Sequence, residues 1–155
     1  TEIYTLSLHD ALPIYPRIAF RGMMDWLEAE IMLCQLTADE ETKKALAEVL
    51  TFARVLLRCE VLGEPVPASR LCGLTEQEQR QHSHFPQDHY GIPHFMPECT
   101  DGQAILQLNA CRCAARQAEL AAVRAFGDQR SDLLQALNRM SSALYILMIQ
   151  AKKET

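Results

Sequence analysis

The densest chemistry in this chain lies on one stretch, where Arg112, Arg116 and Glu119 recur at i, i+4 and i+7. On a helix that spacing sets three side chains on one face. Two fixed guanidiniums suit a polyphosphate, because each can bind oxygens through a bidentate fork. The same spacing also suits an exposed face holding one Arg–Glu pair, and spacing by itself favours that plainer reading. A second group is Asn138 with Arg139, followed by Ser141, Ser142 and Tyr145. Asn138 falls beside an apolar stripe, where an unpartnered amide costs about 1–3 kcal/mol. It is either a satisfied core amide or a ligand contact. Asp25 stands among Met23, Met24, Trp26 and Leu27. A carboxylate there can orient an arginine of another helix, meet solvent, or pair locally with Arg21.

His82, His84, His89 and His94 form a fourth group. No two of them show the i, i+4 spacing of an H-E-x-x-H helix, and no cysteine completes a zinc pattern. No metal ligand is assigned among them; capping or ligand contact is the expected role. Glycine-rich phosphate loops of the forms G-x-x-x-x-G-K and G-x-G-x-x-G are absent from the sequence.

The elements that must position these groups read as helices. The 155 residues suit one domain, and 48% hydrophobic with 23% charged residues is ordinary globular composition. A net charge of −5 without a basic stripe argues against nucleic acid and against anionic membrane surfaces. The longest apolar run, Ala143 to Ile149, is far short of the roughly 20 residues that span a bilayer. The first residues lack the pattern of a secretory signal. Six cysteines, at 34, 59, 72, 99, 111 and 113, are scattered through helical patterns. Cys111-x-Cys113 is neither a zinc hook nor a redox motif, so reduced thiols in a cytoplasmic protein are expected.

Thr1 to Ile14 has no period and resembles translated adapter sequence, so residues 1–15 are expected to be a foreign or disordered leader. From Pro16, Phe20, Met24, Leu27, Ile31 and Cys34 fall at helical spacing. Thr37 to Glu40 reads as a capping box. The next helix turns Leu46, Val49, Leu50, Ala53, Leu56 and Leu57 inward, and Gly63 with Pro65 stops it. Residues 63–100 hold five prolines and four of the five histidines. One short helix capped at Thr75–Glu78 is expected there, within an ordered loop whose length points to function. Another capping box is read at Thr100–Gln103, opening a helix that runs to Phe126 before Gly127. The last helix starts near Ser131, with Leu133, Leu137, Met140, Leu144 and Leu147 as its stripe. Its second half is apolar almost all round, which implies burial on several sides or at a subunit contact. The expected fold is an all-α bundle of four long helices plus a short one.

Several segments in order carry a resemblance. Asp132–Ile149 (DLLQALNRMSSALYILMI) resembles the closing helix of the ethanolamine-utilisation corrinoid adenosyltransferases. Pro16–Leu36 is similar to the start of their helical domain, and Leu62–His84 with His94–Glu98 to their central loop. Leu-Asn-Arg-x-Ser, with the spacing of Arg112, Arg116 and Glu119, also resembles the propanediol-utilisation type. That type has an acid one residue after the serine, where this chain has Ser142. The resemblance covers residues 16–152 as one helical domain and implies the family's five-helix bundle. It implies transfer of the 5'-deoxyadenosyl group of ATP, with Mg2+, to cobalamin reduced to Co(I), releasing triphosphate. By resemblance Arg112 and Arg116 hold the triphosphate, Glu119 sets an arginine or touches nucleotide, Asn138 contacts ATP or its metal, and Arg139 contacts ATP. Asp25 matches an acid that pairs with an arginine of a neighbouring subunit. His84, Phe85, His89 and Phe95 are the candidates to cover the corrin face. The implied assembly is a homo-oligomer, dimer or trimer, in the cytoplasm or a bacterial microcompartment for ethanolamine catabolism. The ethanolamine type's amino-terminal divalent-metal segment is expected to be missing here. The alternative is a weak or inactive helical module that binds corrinoid or ATP, or scaffolds such an assembly.

Overall fold

Apolar residues at three- and four-residue intervals produce four long helices, packed so that their stripes face one another. The computed structural model describes residues 15–155. The expected leader lies outside the described residues, except Tyr15, which opens the first helix. That helix, α1 (Tyr15–Thr37), buries Phe20, Met24, Leu27, Ile31 and Cys34, the face read from the sequence. Helix α2 (Glu40–Leu62) buries Leu46, Val49, Ala53 and Leu56 as expected, with Leu50 and Leu57 half-buried beside them. It also buries Phe52, Cys59 and Glu60. Its cap is Asp39, whose carboxylate accepts the Thr42 amide at 2.7 Å. Thr37 instead closes α1 and donates its hydroxyl to Gln107, so the expected Thr37–Glu40 box does not form. Gly63 ends α2 at φ 68°, a left-handed position that glycine adopts without strain.

Helix α3 (Glu76–His84) starts in the expected reciprocal box between Thr75 and Glu78. A second short helix, α4 (Pro86–Tyr90), follows and was not expected. Proline at its first turn needs no amide partner, and left-handed Gly91 stops it after five residues. Before α5 (Gln103–Phe126), Glu98 and Asp101 cap a 3-10 turn at Cys99–Asp101. The box expected at Thr100–Gln103 is therefore replaced by one set two residues earlier, and Gly102 begins α5 without a side-chain cap. Helix α6 (Ser131–Lys153) closes the chain.

Helix α5 packs against both α1 and α6, and α2 lies against α1. The buried face of α5 runs from Ile105, Leu108 and Cys111 to the small side chains Ala114, Ala115, Ala118, Ala121 and Ala122. Helices α3 and α4 lie on α6. This cover explains why Ala143, Leu144 and Ile146 to Ile149 are all buried within one chain. The segment between α2 and α5 is stitched down by specific bonds. Asp132 accepts the Val66 amide at 3.0 Å, and Arg130 donates to the Glu64 carbonyl at 2.7 Å. The Tyr145 hydroxyl accepts the Phe95 amide at 3.2 Å and lies 3.2 Å from His94 Nδ1. At the start of α1, Arg17 and Arg21 both reach the fully buried Glu60 carboxylate of α2, at 2.9 and 2.8 Å. Among the described residues no strand forms, only an isolated bridge between Leu71 and Leu74, and no helix is long and apolar enough to cross a membrane.

Candidate functional site

The capping box at Thr75 fixes where α3 begins, and with it which residues share a face. Gln79 and Ser83 turn inward, and the Gln79 amide nitrogen donates to the Leu74 carbonyl at 2.9 Å. Glu76, Arg80 and His84, one turn apart, line an open cleft of about 750 Å³. Helix α6 forms its other wall with Leu134, Gln135, Asn138 and Arg139, and α5 contributes Glu119.

Asn138 is the joint of this site. Its Nδ2 donates to Glu119 at 3.1 Å, while its side-chain oxygen accepts from Arg139. Its main-chain carbonyl accepts the Ser141 hydroxyl at 2.8 Å and the Ser142 hydroxyl at 3.3 Å. The amide beside the apolar stripe is thus satisfied at both ends, and it holds Glu119 and Arg139 at the cleft wall. Burial lowers the Arg139 pKa, and the nearby charge of Arg80 lowers it further, against Glu76 and Glu119. Among the described residues, Arg139 Nη1 is buried with no hydrogen-bond partner. A buried donor of this kind calls for an explanation.

The expected site residues are only partly brought together. Glu119, Asn138, Arg139 and His84 meet at the cleft. Arg112 and Arg116 stand outside its lining, so the i, i+4, i+7 face divides between Arg116 and Glu119. Arg112 Nε donates to Asn109 at 3.0 Å. Arg116 is exposed and makes no hydrogen bond or ion pair among the described residues. Asp25 is exposed on α1, and Arg21 is committed to Glu60 rather than to it.

The four residues expected at the corrin face are spread along one side of α6. His84 lines the cleft, and its carbonyl lies 2.9 Å from His94 Nε2. Phe85, next to it, is 57% exposed. The His89 ring stacks on His82 at 3.8 Å, and His82 Nδ1 lies 2.9 Å from the Tyr90 hydroxyl. Burial lowers the His82 pKa, with help from His89. Phe95 is half-buried against the Tyr145 ring, with Lys152 Nζ 5.4 Å from its centre.

Glu76, Gln77, Arg80 and Gln135 also line the cleft and were not singled out in the sequence. A signal for two of them was present: once Thr75 is a cap, Glu76 and Arg80 share one face with His84. Among the described residues no group of three or more His, Cys, Asp and Glu side chains gathers to hold a metal ion.

Comparison with known proteins bears on this same region. The family model described as cobalamin adenosyltransferase matches residues 14–151. The chain is 32% identical over 139 residues to the corrinoid adenosyltransferase EutT of Escherichia coli K12, covering 86% of this chain and 52% of that protein. It is 32% identical over 139 residues to the corrinoid adenosyltransferase EutT of Salmonella typhimurium LT2, with the same coverage. The chain therefore spans about half the length of the curated relatives it matches. No solved structure matches it. The matched stretch takes in the whole cleft and nearly all of the four long helices, and the chain belongs to the cobalamin adenosyltransferase family.

Proposed function

We propose that this chain transfers the 5'-deoxyadenosyl group of ATP to the Co(I) form of a corrinoid such as cobalamin. The cobalt electron pair forms the Co–C bond to the ribose 5' carbon, the C5'–O bond breaks, and triphosphate leaves with that bonding pair. The observation that carries the reading is the cleft between α3 and α6, inside the matched region, where an Arg139 nitrogen is left without a partner. The corrinoid is a strong nucleophile, so the protein's work is to hold the nucleotide and stabilise the leaving charge. Arg139 and Asn138 contact ATP, and Glu119 keeps Asn138 in place. Glu76 and Glu119 supply carboxylate oxygens at the cleft, a donor type that suits Mg2+ arriving with the nucleotide phosphates. Mg2+ would spread charge on those phosphates. His84 and Phe85 begin the segment that covers the corrin, and His89 and Phe95 shape its far part.

Arg112, Arg116 and Asp25 complete this reading only in a homo-oligomer. The outward face of α1 supports one: Trp26, Met32, Leu33 and Leu36 are exposed at helical spacing, with Asp25 among them. In the proposed assembly Asp25 meets an arginine of a second copy, and Arg112 and Arg116 reach triphosphate across the contact. Ethanolamine catabolism in the cytoplasm, within a microcompartment, is the proposed setting.

The test mixes protein, ATP, Mg2+ and chemically reduced cobalamin and follows the corrin spectrum. Adenosylcobalamin is the expected product. ATP binding without product would instead mark an inactive binding module, and binding of neither ligand a scaffold.

A further inference from the structure

We infer that Arg80 of α3 and Arg139 of α6 form a seat for a polyphosphate chain, with Arg80 as a nucleotide-positioning residue. This rests on the proposed reaction for its choice of ligand, while the seat itself follows from the cleft. Both guanidiniums line it, from opposite walls. They are close enough for the charge of Arg80 to act on Arg139. Two like charges facing one another across a cleft repel, and an anion between them turns that repulsion into attraction. Neither group is used up by the protein. The Arg80 side chain makes no hydrogen bond or ion pair among the described residues, and Arg139 spends one nitrogen on Asn138 while Nη1 has no partner.

The carboxylates of the cleft do not fill the role of that anion. Glu119 is engaged by the Asn138 amide at 3.1 Å. Glu76 sits one turn before Arg80 on α3 and forms no ion pair with either arginine. What the cleft offers is the uncommitted Arg80 fork and the Arg139 guanidinium of a second helix, with two acids beside them. That donor set matches a phosphate chain carrying a divalent cation better than it matches a lone carboxylate or a neutral ligand. The seat lies within one chain. It therefore adds to, and is separable from, any phosphate contact that Arg112 and Arg116 make across a subunit boundary.

The probe is inorganic tripolyphosphate with Mg2+, titrated calorimetrically into the full chain without corrinoid. The full chain is expected to bind it, and Arg80→Ala to weaken that binding about 10-fold or more, with Arg80→Lys between the two. Adenosine binding should not change. Arg124→Ala removes another exposed arginine, outside the cleft, and should leave tripolyphosphate affinity as it was. Circular dichroism of each variant checks that the helices persist. Unchanged affinity in Arg80→Ala, an equal loss in Arg124→Ala, or no binding by the folded chain overturns the seat. Arg80-dependent binding in a chain that forms no adenosylcobalamin sustains the seat and overturns the proposed reaction. Turnover with unaltered tripolyphosphate inhibition in Arg80→Ala does the reverse.

Discussion

The two outward surfaces of this bundle are built from opposite materials. At the α3–α6 cleft, polar and charged groups converge, and several are tied to one another through Asn138. On the outer face of α1, Trp26, Leu33 and Leu36 stand 54–77% exposed, with Asp25 beside them and Glu30 accepting from the Trp26 indole at 3.1 Å. The first surface gathers charged and hydrogen-bonding side chains, and the second exposes apolar ones. The difference teaches that side chains sharing one helix pattern need not share one task. Glu119 belongs to the first surface, whereas Arg116, less than one turn away, does not line it.

The sharpest attempt to break this division is a pair of substitutions. Arg139→Ala should lower adenosyl transfer by about 100-fold or more while the helices persist, because it removes charge stabilisation inside the cleft. Arg116→Ala should lower transfer comparably only if it acts across a subunit contact. In that case diluting the assembly to single chains should erase the difference between Arg116→Ala and the unsubstituted chain, but not the defect of Arg139→Ala. A full rate in Arg139→Ala would place the functional surface elsewhere.

Replacing Leu33 with Lys on α1 should dissociate the assembly in sedimentation, with melting temperature of the monomer little changed. Unaltered sedimentation would assign that face to something other than a second copy. A smaller effect is expected from Glu60→Ala, which strands Arg17 and Arg21. Both arginines reach water, so the loss is about 2 kcal/mol rather than the full cost of breaking a buried pair. Melting should fall by roughly 5 °C.

The smallest effect concerns acid. Arg130 beside Asp132, with amides of Val66 and Leu133, holds that carboxyl below its ordinary range. A depressed folded pKa gives stability that is present above the unfolded value, about 3.9, and is lost as pH falls through the folded one. Asp132→Asn should therefore lower stability at neutral pH and flatten its decline below about pH 4. Identical acid melting curves for both chains would remove Asp132 from that decline.

Much of the architecture was legible from the sequence because helices announce themselves by period. The stripe Leu133, Leu137, Met140, Leu144, Leu147 is wholly buried, and α5 ends at Phe126 before Gly127 as read. Caps were legible where one side chain has no competitor, as at Thr75. They were missed where helices nearly touch: only two residues part α1 from α2, and Asp39 takes the cap while Thr37 finds a partner on α5. The segment of residues 63–100 has no period to read, since bonds from α6 set its path. Asn138 was correctly marked as needing partners, but spacing on one helix cannot say that they come from α5 and from the next residue. Arg80 was passed over because a short polar helix offers no apolar stripe to orient it. Glu60 was missed although it continues the series Ala53, Leu56, Glu60 on the core face of α2.

Trp26 is the only tryptophan in the 155 residues, and it stands 55% exposed on the outer face of α1. Indole emission from this protein is therefore a local gauge. It should shift to the blue when that face is covered, and it lies outside the residues that line the cleft. On the proposed reading, the absorbance of a corrinoid would report the cleft instead. One cuvette with two wavelengths can then time assembly and catalysis separately, with no label attached to either.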